Sequence, residues 1–218
     1  MNVITRSENQ KEVIHVTELN NMQLLKEVME LEIKAVQRIR DRIDEKFAKV
    51  VEEILLCKGK IIFLGVGKSG HIGKKLAATF ASTGTPSFFV HATEALHGDL
   101  GMIEKDDLVI AISNSGETKE ILAPFPSLRF IGCKIIAMTG NSTSTLARES
   151  DLILEVYVEK EADPLGLAPT SSSTTALVVG DAIAITVSQL KNFGKQQFGL
   201  FHPGGSLGQK LIKDGIIS

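Results

Sequence analysis

Five short apolar runs, at 60–64, 87–90, 107–112, 134–138 and 151–156, alternate with stretches patterned for helices. The runs read as buried strands, because they are continuously apolar and each is bounded by turn residues. The helical stretches between them are Ile72–Ser82, Glu117–Phe130 and Thr143–Ser150, with Pro124 and Pro126 expected to interrupt the second. Such alternation predicts a parallel sheet covered by helices on both faces.

Helical patterning also flanks this block. From about Glu18 to Leu56, apolar residues such as Leu24, Val28, Leu31, Val36 and Ile39 recur at helical spacing between charges. One or two helices that cover the core are expected there, with a stripe long enough to pack against another subunit as well. A last long helix is expected over about Ser172 to Asn192, with Asp181 as a buried capping or oligomer contact. The glycine-rich turn after Phe201 leads into a short terminal helix. Residues 1–17 read as an arm, and 18–218 as a single domain.

Two strand ends carry loops rich in glycine and hydroxyls. The first is Gly65-Val66-Gly67-Lys68-Ser69-Gly70, and the second is Ser113-Asn114-Ser115-Gly116-Glu117-Thr118. Each opens a helix, so each offers free N–H groups and a helix dipole to an anion. A doubly wound sheet of order 2-1-3-4-5 has its switch point between strands one and three, the two that carry these loops. They would then converge on one crevice, sized for a phosphorylated small molecule.

Other readings of the same residues fare less well. Gly65, Gly67 and Gly70 match the dinucleotide spacing, but the acid expected about 20 residues on is missing, the nearest being Glu94 after Phe89-Val90-His91. The phosphate-loop pattern fails because its first glycine falls on Ile62. One helix cap needs a single Ser, Asn or Thr. The second loop has three hydroxyls, and the surplus suits a phosphate monoester. Lys68 at the crevice mouth is placed to hold a phosphate or polarise a sugar oxygen. Glu120, one turn beyond Glu117, is a candidate proton carrier. His97 is followed by Gly98-Asp99, so that Asp99 either orients it or makes a turn. His202 precedes Pro203-Gly204-Gly205, a loop fixed by its proline.

Composition excludes several classes. The formal net charge is −2 and tryptophan is absent, so neither a basic field nor stacking platforms point to nucleic acid. No apolar run is expected to reach membrane-spanning length, and no signal-peptide core opens the chain. The two cysteines, Cys57 and Cys133, have neither metal nor disulfide spacing, which favours a reducing compartment and hence the cytoplasm. No His/Cys/Asp/Glu cluster has metal-ligand spacing.

Several segments together resemble the sugar isomerase (SIS) domain of D-arabinose-5-phosphate isomerases. They are Gly65–Gly70 continuing into His71-Ile72-Gly73, Ala81-Ser82-Thr83-Gly84-Thr85-Pro86, Glu94-Ala95-Leu96-His97-Gly98-Asp99-Leu100-Gly101-Met102-Ile103, and the Ser113–Thr118 loop. Leu167-Ala168-Pro169-Thr170-Ser171, Gly180-Asp181-Ala182 and His202-Pro203-Gly204-Gly205-Ser206-Leu207-Gly208 extend the likeness. The resemblance implies a flavodoxin-like, three-layer αβα domain with a five-stranded parallel sheet and an N-terminal helical extension. It further implies a homotetramer that interconverts D-ribulose 5-phosphate and D-arabinose 5-phosphate. That reaction opens the route to the eight-carbon sugar Kdo of lipopolysaccharide and some capsules.

By the same resemblance the catalytic residues fall on Lys68, His97, Glu120 and His202, and the phosphate contacts on Ser69, Ser113, Ser115 and Thr118. Gly67, Gly70 and Asn114 complete the substrate set, without a cofactor or metal. His202 or Glu120 would shuttle the proton, while Lys68 and His97 open the ring and polarise oxygens. Many relatives carry C-terminal CBS modules that do not follow Ser218 in this sequence, and many have cysteine where this chain has Asp163. Feedback binding of CMP-Kdo is a further expectation. The rival expectations are an isomerase of a hexose or heptose phosphate on the same scaffold, or a non-catalytic sugar-phosphate sensor.

Overall fold

The computed structural model describes residues 8–215. Five parallel strands form one sheet in the order β2-β1-β3-β4-β5, where β1 is Ile61–Gly65, β2 Ser87–His91, β3 Leu108–Ile112, β4 Lys134–Thr139 and β5 Leu152–Glu155. The order places the β1/β3 junction at the reversal of winding, as the strand and loop pattern predicts.

Side chains of each inner strand alternate between two cores. Ile61 and Phe63 of β1, Ile110 and Ile112 of β3, and Ile136 and Met138 of β4 face one helical layer. That layer is built from α1 (Glu8–Arg40), α2 (Glu45–Leu56), α3 (Gly67–Ser82) and α8 (Ser171–Leu190). Ile62, Leu64, Val109, Ala111, Ile135 and Ala137 face the opposite layer. It comprises α4 (Ala92–Ala95), a 3-10 turn (Asp99–Met102), α5 (Lys119–Leu122), α6 (Phe125–Ile131) and α7 (Thr145–Arg148). Both sheet faces are covered, which is why the strands lack polar alternation. After α8 come α9 (Lys195–Phe201) and α10 (Ser206–Lys213), which pack mainly on each other.

Several boundaries differ from expectation for identifiable reasons. The first helical stretch divides at Asp41–Asp44, and the Asp44 carboxylate caps α2 by accepting from the Lys46 N–H at 3.0 Å. Of the expected arm, residues 1–7 lie outside the described residues and 8–17 belong to α1. The two prolines divide the Glu117–Phe130 stretch into α5 and α6. Thr143–Ser150 is helical only over the four residues of α7. Asp181 is half-exposed, not buried, and forms an ion pair with Lys75 of α3. α8 corrects the membrane expectation, since its 20 residues are long and apolar enough to span a bilayer by length and composition. Here it serves as a core helix, with Ala176, Val179, Ile183 and Val187 buried against the sheet layer.

Candidate active site

The crevice is built by two strand-to-helix turns that glycine makes possible. β1 and α3 meet so closely that a Cβ on Gly65 would lie 2.9 Å from the Gly70 backbone, and one on Gly70 3.3 Å from the Phe89 ring. Gly67 sits at φ +54, a conformation disfavoured for other residues. α3 therefore begins directly after the strand, and Lys68 and Ser69 occupy its first turn with their side chains at the sheet's C-terminal edge. Lys68 is exposed and Ser69 half-buried.

The turn after β3 is held by its own hydroxyls. The Ser113 side chain is 3% exposed. Its Oγ lies 3.0 Å from Thr118 Oγ1 and accepts the Gly116 N–H at 3.1 Å. Ser115 Oγ accepts the Glu117 N–H at 3.3 Å. Gly116 has φ +67, and a Cβ there would collide with Ser144. The Asn114 carbonyl accepts from the Gly140 N–H at 3.0 Å and the Thr139 hydroxyl at 3.3 Å, tying this turn to the end of β4.

Glu117 serves structure: its carboxylate accepts the Thr145 N–H at 2.8 Å. Hydrogen bonds from the Thr145 backbone and hydroxyl hold its carboxyl below the ordinary range.

These turns converge as expected. Lys68, Ser69 and Asn114 line one small cavity with Pro169, Ser172 and Ser173, above a floor that includes Ile112 and Met138. Sequence reasoning did not single out Glu161 as a determinant of the wall. Its carboxylate accepts the Thr170 N–H at 2.8 Å, the Thr170 hydroxyl at 3.1 Å and the Ser172 N–H at 3.1 Å, which anchors the start of α8. Burial pushes the Glu161 carboxyl up, but hydrogen bonds from Ser172 and Thr170 outweigh it and the net shift is downward. The available signal was the Thr170-Ser171-Ser172 run, whose N–H groups need an acceptor at a helix start. Asp163 accepts from the Leu165, Leu167 and Ala168 N–H groups, so it shapes the preceding loop.

The remaining candidates lie outside this cavity. Glu120 is exposed on α5, immediately after the Thr118 turn. His97 is exposed between α4 and the 3-10 turn, on the segment that packs beside α5. Asp99 heads the 3-10 turn, and no hydrogen bond joins it to His97 among the described residues. The buried His91 Nδ1 has no hydrogen-bond partner among the described residues.

His202 is at the other end of the molecule. α8 starts beside Lys68 and ends where Lys191 reaches Thr85, just before β2, with a Nζ to Oγ1 distance of 3.1 Å. Phe193 then packs on Gly84 and stacks with Phe201, the neighbour of His202, at 5.8 Å between centroids. At about 1.5 Å per residue, α8 alone separates the two ends by roughly 30 Å. Within one chain, His202 does not join Lys68.

Comparisons with known proteins agree with this architecture. The SIS domain family matches residues 54–186. The arabinose 5-phosphate isomerase KdsD of Shigella flexneri is 52% identical over 187 residues, which is 86% of this chain and 57% of the relative. KdsD of Francisella tularensis is 53% identical over 189 residues, covering 85% and 58%. The chain thus spans little more than half the length of these curated relatives. The solved structure of E. coli CFT073 c3406 in complex with arabinose 5-phosphate superposes with TM-score 0.84 at 56% identity, covering 85% of this chain and 98% of that one.

Proposed function

This chain belongs to the SIS domain family, and on that premise we propose that it interconverts D-ribulose 5-phosphate and D-arabinose 5-phosphate. One observation carries the reading: a relative 56% identical, matched over 98% of its solved chain, was captured with arabinose 5-phosphate. The crevice geometry supports it. The α3 N-terminus with Ser69, and the hydroxyls of Ser113, Ser115 and Thr118, form a phosphate cradle, with Gly67, Gly70 and Asn114 supplying close backbone approach. Holding the phosphate remote from the reacting carbons turns binding energy into alignment of C1 and C2.

The chemistry is redox-neutral within the substrate. Lys68 and His97 open the sugar ring and polarise its oxygens. A base removes the C2 proton of the open aldose, giving an enediol whose developing oxyanion is stabilised by the Lys68 ammonium. Return of the proton to C1, with the hydroxyl proton moving from O2 to O1, yields the ketose. We assign the carbon-to-carbon proton transfer to His202, because the unprotonated ring nitrogen of an imidazole can accept a proton and return it from the same atom. Glu120 assists at the sugar oxygens.

Because His202 lies far from Lys68 in its own chain, it is supplied by a neighbouring subunit. The faces that would bring subunits together are apolar. α1 exposes Leu25, Met29 and Ile33, and α8 exposes Val178, Ile185 and Leu190. A groove of about 430 Å³ between α1, α2 and α8 is lined by Val36, Ile43, Phe47 and Val178. Apolar surface on this scale marks an interface, and a homotetramer is the assembly we propose. The enzyme acts in the cytoplasm at the entry to Kdo synthesis, where CMP-Kdo is its feedback ligand.

A coupled assay across pentose, hexose and heptose phosphates tests the substrate. Turnover of D-arabinose 5-phosphate well above the others is expected. Preference for a hexose or heptose phosphate would replace this reading with another isomerase, and binding without turnover of any would replace it with a sensor. Calorimetry with CMP-Kdo, and the mass of the protein in solution, test the two finer statements.

A further inference from the structure

The His202 side chain is fixed by α9, the helix that it caps. Its Nδ1 lies 2.8 Å from the carbonyl oxygen of Phe198, four residues earlier on α9. The imidazole also stacks on the Phe198 ring, with centroids 4.0 Å apart and planes 13° from parallel. The backbone is held as well: the His202 N–H donates to the Gly199 carbonyl at 3.1 Å. A Cβ on Gly208 of α10 would collide with the His202 carbonyl, so α10 closes over it only because that residue is glycine.

A carbonyl oxygen only accepts hydrogen bonds, so the nitrogen facing it must carry the proton. In neutral His202 that nitrogen is Nδ1, which leaves Nε2 with its lone pair free. We infer that Phe198 is a positioning residue for His202: its carbonyl selects the Nδ1–H tautomer and its ring holds the imidazole plane, so Nε2 is the nitrogen that exchanges protons with the substrate. The inference rests on the reading of His202 as the proton carrier. In the forward step Nε2 takes the C2 proton while Nδ1 keeps its own on the Phe198 carbonyl. The cation formed is stabilised by that same carbonyl. In the return step Nε2 gives the proton to C1 and the Nδ1–H tautomer is restored.

The test reads the tautomer directly. Long-range proton–nitrogen spectra of histidine-labelled protein assign His202 by the signals lost in His202→Ala. The expected result is a protonated Nδ1 and unprotonated Nε2 in the neutral ring. Phe198→Leu keeps the carbonyl but removes the stack. It should leave the Nδ1–H tautomer in place and lower kcat by about 10-fold or more, since a misplacement of about 1 Å costs up to about 10²-fold, with KM within about 2-fold. Phe198→Tyr keeps an aromatic face and should restore kcat. A wild-type His202 protonated at Nε2, or a Phe198→Leu variant with wild-type kcat, overturns the inference. The spectra of the intact wild type decide the tautomer without any turnover, so an absent isomerase activity would count against the proposed function alone.

Discussion

Lys191, which caps the C-terminus of α8, donates to the Thr85 hydroxyl at 3.1 Å and pins the end of the last long helix beside the start of β2. His202, eleven residues further on, is thereby held away from the strand ends where Lys68 stands. A site that uses both residues must be assembled from two chains. Lys68→Met and His202→Ala should each be nearly inactive alone. Co-assembly of the two should restore about a quarter of the wild-type activity, because about that fraction of shared sites in a random mixture receives both native side chains. Failure of co-assembled, folded protein to recover activity would place both residues in one chain's site.

The exposure of Lys68 separates function from stability. Lys68→Met should lower kcat/KM by about 10²- to 10³-fold, the effect of losing one donor to a developing oxyanion. Its melting temperature should stay within a degree or two of wild type, since the ammonium makes no ion pair among the described residues. Steady-state kinetics and calorimetric melting check the two halves.

Ser113 should couple the two. Its buried hydroxyl accepts the Gly116 N–H and meets Thr118, so Ser113→Ala leaves a buried donor without its partner. Denaturant unfolding should show a loss of about 1–3 kcal/mol, and KM should rise as the cradle loses its shape. Ser115 is exposed, so Ser115→Ala should raise KM with little change in unfolding.

Glu161 predicts a pH-dependent stability. Its folded carboxyl is held below its ordinary value, so the ionised form is favoured by folding. That contribution is fully present above the unfolded value of about 4.3 and is lost as pH falls through the lower folded value. Glu161→Gln should therefore melt at a lower temperature than wild type at pH 7. The gap should narrow below about pH 4. A gap that is constant across this range would remove the carboxylate from the anchoring of α8.

Much of this architecture is legible in the chain because the strands are buried on both faces. Ile61-Ile62-Phe63-Leu64 feeds two cores at once and shows no polar alternation to confuse it with a surface strand. The crevice is legible too, since Gly65 and Gly70 mark a close approach that only glycine permits. What is missing from the sequence reading depends on partners far along the chain. Asp181 looks buried within an apolar helix until Lys75 of α3 is placed beside it at the surface. α9 has seven residues with Phe198, Leu200 and Phe201 as the large apolar ones, too short a run for a helical period to stand out. The distance between His202 and Lys68 follows from the direction of α8 along α3, which no local pattern encodes. Glu161 takes its role from N–H groups nine and eleven residues later.

The reaction proposed for the crevice between β1 and β3 is the conversion of one pentose phosphate. Purified protein given D-arabinose 5-phosphate should form D-ribulose 5-phosphate until equilibrium, reach the same mixture from the ketose side, and lose the reaction in Lys68→Met. No interconversion by the folded, assembled wild type, or an equal rate in Lys68→Met, would contradict it.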